Sequence, residues 1–149
     1  MQRQLILMRH AHAEPEANDN DFERQLTSEG RLAARRAGTE LARSGFVPDA
    51  VLSSSAHRAL ATAEIVAAAC GFLGTIDAAR GLYLATEAQY LEALHALEGT
   101  RQLLLVGHNP DLSSLARKLD RQTSGLAPAQ YARLELDLSS WRELGRAGR

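Results

Sequence analysis

The stretch LILMRHAHAEP, residues 5–15, decides the fold. Leu5 to Met8 form an apolar run too short for a membrane span or a signal core, and residues 4–9 read instead as a buried strand. The run gives way at once to Arg9-His10-Ala11-His12, which sets two imidazoles beside a guanidinium. Whether this cluster is a catalytic site, a metal site or only the polar end of a strand depends on what the rest of the chain brings beside it.

Outward from this strand, apolar runs of strand length alternate with helix-period segments. After a polar stretch from Glu14 to Arg24, the spacing of Leu32, Ala34, Ala37 and Leu41 predicts a helix over 28–44, stopped by Gly45. Asp49 to Ser53 reads as a second strand. A helix from Ala56 to Cys70 follows, with Leu60, Ala63, Val66 and Ala67 on one side and Gly71 at its end. Thr75-Ile76-Asp77 is a weak third strand. Thr86 and Gln89 have capping-box spacing and open a helix that reaches Gly99.

Residues 102–107 (QLLLVG) form the clearest buried strand. Asn109-Pro110-Asp111 then marks a helix start with proline at its first position, and Leu112, Leu115, Ala116 and Leu119 supply the stripe. Arg133 to Leu138 alternates with period two, and Trp141 to Leu144 is expected to pair with it as a hairpin. This order predicts an α/β protein, a three-layer α/β/α sandwich on a mostly parallel mixed sheet. With no repeat, low-complexity tract or linker, residues 1–149 read as a single domain.

Bulk properties exclude several classes. The 149 residues carry 45% hydrophobic and 23% charged side chains, ordinary for a globular protein. A net charge of −1 gives no field to draw nucleic acid or an anionic membrane, so neither is an expected partner. Cys70 is the one cysteine, so there is no internal disulfide and no thiolate zinc cluster. A cytoplasmic location is the expectation.

Open parallel sheets bind ligands outside the carboxyl ends of their strands. Three polar clusters fall at such ends: Arg9-His10-Ala11-His12, Ser53-Ser54-Ser55-Ala56-His57-Arg58 and Gly107-His108-Asn109-Pro110. Their residue types suit a phosphoryl dianion. Arg9 and Arg58 offer planar forks to phosphate oxygens, and Arg58 falls in the first turn of a helix, where the dipole favours an anion. Histidine is both neutral near pH 7 and nucleophilic, and neighbouring arginines should lower the pKa of His10. His108 is placed to donate to a non-bridging oxygen.

With these segments in view, the chain resembles the histidine phosphatase superfamily, in particular its small branch of SixA-type phosphohistidine phosphatases. The matching segments are LILMRHAHAE (5–14), DFERQLTSEGR (21–31), DAVLSSSAHRALATAE (49–64) and LLLVGHNPDLSSLA (103–116). The resemblance implies a phosphoglycerate mutase-like fold without an inserted cap and a mechanism that needs no metal or cofactor. It implies His10 as the nucleophile that becomes phosphorylated, with Arg9, Arg58 and His108 completing the phosphate pocket and Arg24 at its mouth. His12, Ser54 and Asn109 are further candidates for touching substrate. The implied substrate is a phosphohistidine-bearing protein, such as a phosphotransfer domain, or a small phosphorylated molecule.

The chain departs from the family pattern at three places. Arg-His-Ala stands for Arg-His-Gly, which sets the Ala11 methyl where the backbone approaches phosphate. Ser55 replaces a proline of the second motif. The segment that carries a general-acid carboxylate in larger relatives is short, leaving Glu87 and Glu14 as positional candidates for that role.

Other readings remain open at this point. His10 and His12 lie two apart on a strand and, with His108, would suit zinc or another divalent ion in a hydrolase. The pocket could bind phosphohistidine without turning it over, or hydrolyse small phosphoesters. His57 is expected to point away from the site. His95, Cys70, Tyr83 and Tyr90 are expected to be structural.

Overall fold

The computed structural model describes residues 2–15 and 20–145. Five strands and four helices alternate along the chain: β1 (Gln2–Arg9), α1 (Ser28–Arg43), β2 (Ala50–Ser54), α2 (His57–Ala69), β3 (Asp77–Ala79), α3 (Glu87–His95), β4 (Gln102–Gly107), α4 (Asp111–Leu119) and β5 (Tyr131–Asp137). The sheet order is β3-β2-β4-β1-β5. β5 runs antiparallel to β1, and the other neighbours are parallel. The α/β sandwich expected from the sequence is therefore present.

Alternation along the strands splits the core in two. Leu5, Leu7, Leu103 and Leu105 face α3 and α4, where Tyr90, Leu94, Leu112 and Leu115 meet them. Ile6, Met8, Leu104 and Val106 face α1 and α2, packing on Ala34, Leu41, Ala63 and Val66. The central strands are apolar throughout because both faces are covered. Thr27 caps α1 by accepting the Gly30 N–H, and Thr86 and Gln89 form the predicted capping box on α3.

The topology creates the site. β2, β4 and β1 are adjacent and parallel, so their carboxyl ends share one rim. Arg9 pairs with Gly107 in register, and the His10 N–H donates to the Gly107 carbonyl at 3.1 Å. His10 and His108 therefore emerge side by side.

Several expectations need correction. Trp141–Glu143 is a 3₁₀ turn, capped by Ser140, and no hairpin forms. Trp141 is fully buried against the α3 side, where its Nε1–H donates to the Thr100 carbonyl at 2.8 Å. A half-exposed edge strand could not hide an indole in that way. The third strand lies at 77–79 rather than 75–77, and α3 ends at His95 rather than near Gly99. Pro110 precedes the first helical residue of α4, Asp111, instead of occupying it. Leu32, placed on the buried stripe of α1, is 44% exposed. No described helix is long and apolar enough to cross a membrane.

α1 and α2 pack closely at Gly38, where an added Cβ would lie 2.6 Å from the Ala69 Cβ and 3.2 Å from the Val66 Cα. Gly38→Ala would gain about 1 kcal/mol of helix propensity. Overpacking of about 1–3 kcal/mol opposes that gain and outweighs it. Denaturant unfolding should show a net loss of stability, and a more stable variant would refute the close packing.

Candidate active site

Four of the predicted residues converge at the rim. His10, after β1, and His108, after β4, have ring centroids 5.2 Å apart. Arg58, in the first turn of α2, reaches between them, with Nε 3.4 Å from His10 Nε2 and Nη2 3.5 Å from His108 Nδ1. Arg9 stands beside His10 in sequence and donates from Nη1 to the Leu126 carbonyl at 3.2 Å. Its Nε is buried and meets no acceptor among the described residues.

The tautomer of His10 is fixed by its own backbone. Nδ1 lies 2.8 Å from the Ala11 carbonyl, which only accepts, so Nδ1 carries the proton and Nε2 the lone pair. The Ala11 N–H donates to Thr62 Oγ1 at 3.0 Å, and that hydroxyl donates to the Arg58 carbonyl at 2.7 Å. The peptide after His10 is thus tied to the helix that carries Arg58. The Ala11 methyl is buried in the cluster under α1 and α2. The methyl that stands here in place of glycine therefore fills core.

His108 is held from two directions. Its Nε2 is 2.8 Å from Ser54 Oγ, and its N–H donates to Tyr90 Oη at 2.9 Å. Ser54 is fully buried behind this imidazole and also accepts the Ala56 N–H at 3.2 Å. It supports His108 and does not face a substrate, which corrects its expected role.

Sequence reasoning missed Asp21. Its carboxylate accepts from Arg58 Nη2 at 2.9 Å, from Arg24 Nη1 at 3.0 Å and from the Tyr83 hydroxyl. Its backbone carbonyl accepts from Arg58 Nη1 at 2.7 Å. Arg24 is anchored by its Nε–H to the Glu14 carbonyl at 2.7 Å. Tyr83, expected in the core, sits edge-on to His108 with centroids 5.5 Å apart, and Phe22 packs edge-on to Tyr83 at 5.0 Å. Asp21 lies three residues before Arg24, and that proximity was the signal available in the sequence.

Electrostatics follow from burial and charge. Burial pushes the His10 pKa down to about 4; the hydrogen bond to Ala11 opposes this, and Arg58, Arg9 and Arg24 reinforce it. The expected influence of the arginines is there, but burial is the larger cause. Burial also lowers His108 to about 3, helped by His10 and Arg58. Burial works against the Asp21 charge, yet its bonds from Tyr83, Arg24 and Arg58 hold it at about 2. Near pH 7 the site therefore combines three arginines, one carboxylate and two neutral imidazoles. The excess of two positive charges matches a phosphoryl group of about −1.5 to −2.

Other candidates do not join this group. His12 is exposed and its Nδ1 lies 3.1 Å from Thr27 Oγ1, so a metal triad with His10 and His108 is not assembled. Among the described residues no cluster of three potential ligands occurs. Asn109 donates to the Leu126 carbonyl and accepts from Ser113 N and Oγ, which makes it a cap for α4. Glu87 pairs with Lys118 at 3.5 Å. Glu14 contributes its carbonyl to Arg24 and its side chain is exposed. Neither carboxylate contacts the imidazoles. His57 pairs outside with Glu23 at 3.0 Å, and Tyr90, Cys70 and His95 are structural as expected.

Known proteins resemble this chain in sequence and in fold. The family model for the histidine phosphatase superfamily (branch 1) matches residues 5–82. A structure from Nakamurella multipartitia, provisionally assigned as the phosphohistidine phosphatase SixA, is 27% identical over 99% of this chain and 92% of that one, with a TM-score of 0.82. A similarly assigned protein from Agrobacterium tumefaciens is 29% identical over 90% of this chain and 92% of that one, with a TM-score of 0.81. The protein histidine phosphatase SixA complexed with tungstate is 25% identical, covers 90% of this chain and 88% of its own, and gives a TM-score of 0.80. A search of curated protein sequences finds no match. With its three motif histidine and arginine clusters gathered on one rim, this chain belongs to the histidine phosphatase superfamily and is a metal-independent phosphatase.

Proposed function

We propose that the protein removes phosphate from phosphohistidine on a partner protein, through a covalent intermediate on His10. The observation that carries this reading is the His10 tautomer. A neutral imidazole with Nδ1–H on the Ala11 carbonyl presents the Nε2 lone pair beside the Arg58 guanidinium.

In the first step Nε2 attacks phosphorus in line, the phosphorus–nitrogen bond of the donor breaks, and its imidazole leaves. Arg58, His108 and Arg9 donate to the equatorial oxygens, and the partnerless Arg9 Nε–H is a donor suited to one of them. Phospho-His10 then carries a proton on Nδ1 and a phosphoryl group on Nε2, so its ring is cationic. The Ala11 carbonyl stabilises that charge. Water attacks phosphorus, and His10 departs as the neutral imidazole it was at the start, with no proton required from an acid.

The choice of phosphohistidine rests on the acid chemistry of the site. Asp21 is ionised with a pKa of about 2, and Glu14 and Glu87 do not reach the imidazoles. An alkoxide would leave without a carboxylic acid to protonate it. A donor imidazole protonated at its other nitrogen leaves neutral by its own proton. The connection from α2 to α3 holds only β3 and a short turn, with no inserted cap to narrow the entrance for a protein-borne group. A small phosphoester remains the second reading, favoured where the leaving group is stable as an anion.

A panel of substrates separates these readings. A phosphohistidine-bearing phosphotransfer domain should exceed a simple alkyl phosphate in kcat/KM by at least about 10²-fold, the scale of general-acid assistance the alkyl ester lacks. Equal values would remove the argument from the leaving group. His10→Ala should lower turnover of every substrate by more than about 10³-fold, and trapping with an alkaline denaturing quench, in which a phosphorus–nitrogen bond survives, should find phosphate on the wild-type chain only. Retained activity would exclude the covalent route.

The imidazoles give a pH prediction. His10 and His108 titrate at about 4 and about 3 in the folded chain, against 6.5 for a free imidazole. Their ring resonances should stay fixed between about pH 8 and about pH 5.5. Because the unfolded chain takes up these protons first, folding stability should fall as the pH drops below 6.5 and on towards 4. A resonance midpoint near 6.5 for His10 would contradict the burial argument.

A further inference from the structure

We propose that Asp21 is a positioning residue for phosphoryl transfer, gripping one edge of the Arg58 guanidinium so that the other edge addresses the space between His10 and His108. This assignment rests on the phosphatase reading above and adds to it a residue outside the histidine and arginine set.

A guanidinium presents two usable edges on its unsubstituted side, Nη1/Nη2 and Nε/Nη2. Asp21 takes the first: Nη1 donates to its carbonyl at 2.7 Å and Nη2 to Oδ2 at 2.9 Å. The second faces the imidazoles, with Nε 3.4 Å from His10 Nε2 and Nη2 3.5 Å from His108 Nδ1. The first pair is short and charge-assisted; the second is long and weak. Asp21 therefore sets the rotation of the fork. The imidazoles leave its inner edge free to take up two oxygens.

Asp21 is itself held. Arg24 Nη1 reaches Oδ1 at 3.0 Å, and the Tyr83 hydroxyl donates to Oδ2. Phe22 lies edge-on to Tyr83 at 5.0 Å, and Arg80 stacks 4.3 Å over Phe22. The 3₁₀ turn Asp21–Glu23 is thereby fastened to the second half of the chain through the residues that follow β3. Asp21 could instead be an internal competitor that phosphate must displace. Its place on the outer edge of Arg58 argues for alignment, and the two roles predict opposite effects on oxyanion affinity.

The test is a double-mutant cycle on the full chain, using an aryl phosphate as substrate and orthovanadate as inhibitor. Asp21→Asn keeps the size of the side chain but cannot accept on both of its outer atoms. It should lower kcat/KM by about 10²-fold, the cost of a misplaced catalytic group, and weaken vanadate inhibition. In an Arg58→Ala background, followed by single turnover at high enzyme concentration, the same change should cost less than about twofold. Asp21→Ala should behave alike, and Asp21→Asn serves if the alanine variant fails to fold. Equal losses in both backgrounds would assign Asp21 to folding of the loop, and tighter vanadate binding would make it a competitor; either overturns the proposal. Wild-type protein without turnover of aryl phosphate or phosphohistidine would instead overturn the phosphatase reading, and this assignment with it.

Discussion

A buried guanidinium must be matched by acceptors, and the architecture of this site follows from burying Arg58. Its side chain is 3% exposed, in the first turn of α2 and between two imidazoles that are themselves almost fully covered. Leaving such a charge unpaired would cost several kcal/mol. One anion, supplied by the loop before α1, meets that need, while the histidines on the inner side remain neutral. Had the pairing carboxylate come from the inner side, it would have filled the space between His10 and His108 that the proposed mechanism gives to the phosphate oxygens.

The two imidazoles are anchored by different chemistry. His10 Nδ1 meets a carbonyl, which accepts and never donates, so one tautomer is imposed and Nε2 keeps its lone pair. His108 Nε2 meets the Ser54 hydroxyl, which can do either. Its Nδ1 can therefore accept from Arg58 in the resting site, and in the other tautomer it carries the proton that the proposed mechanism directs to a phosphoryl oxygen. A nucleophile benefits from a single fixed tautomer. A group that only responds to charge on oxygen benefits from having two available.

Legibility in the sequence followed the range of the interactions concerned. The buried strands, the capping box on α3 and the helix stripes are local patterns, and they were readable as such. Convergence of His10, Arg58 and His108 needed only the rule that adjacent parallel strands end on one rim, once β1, β2 and β4 were recognised. Asp21 and Tyr83 lie in a 3₁₀ turn and beside another, where periodicity carries no information, and they meet across 62 residues of chain. The protein partners of Ser54 and Asn109 were hidden for a related reason. Their motifs placed them at the rim, but only coordinates show that their polar atoms are turned to His108 and to the start of α4.

The Ala11 position shows how the same backbone can serve chemistry and core together. Its carbonyl fixes the His10 ring, its N–H ties β1 to α2 through Thr62, and its methyl joins the apolar cluster beneath α1 and α2. Glycine would supply the first two functions but not the third, and it would add freedom to the one peptide whose orientation sets the reactive tautomer. Thr62 then closes the loop by donating to the Arg58 carbonyl, so the peptide that follows His10 and the backbone of Arg58 are joined by two hydrogen bonds. A shift of α2 relative to β1 would move both together. His10 and Arg58 are thereby kept in mutual alignment without a cap to compress them.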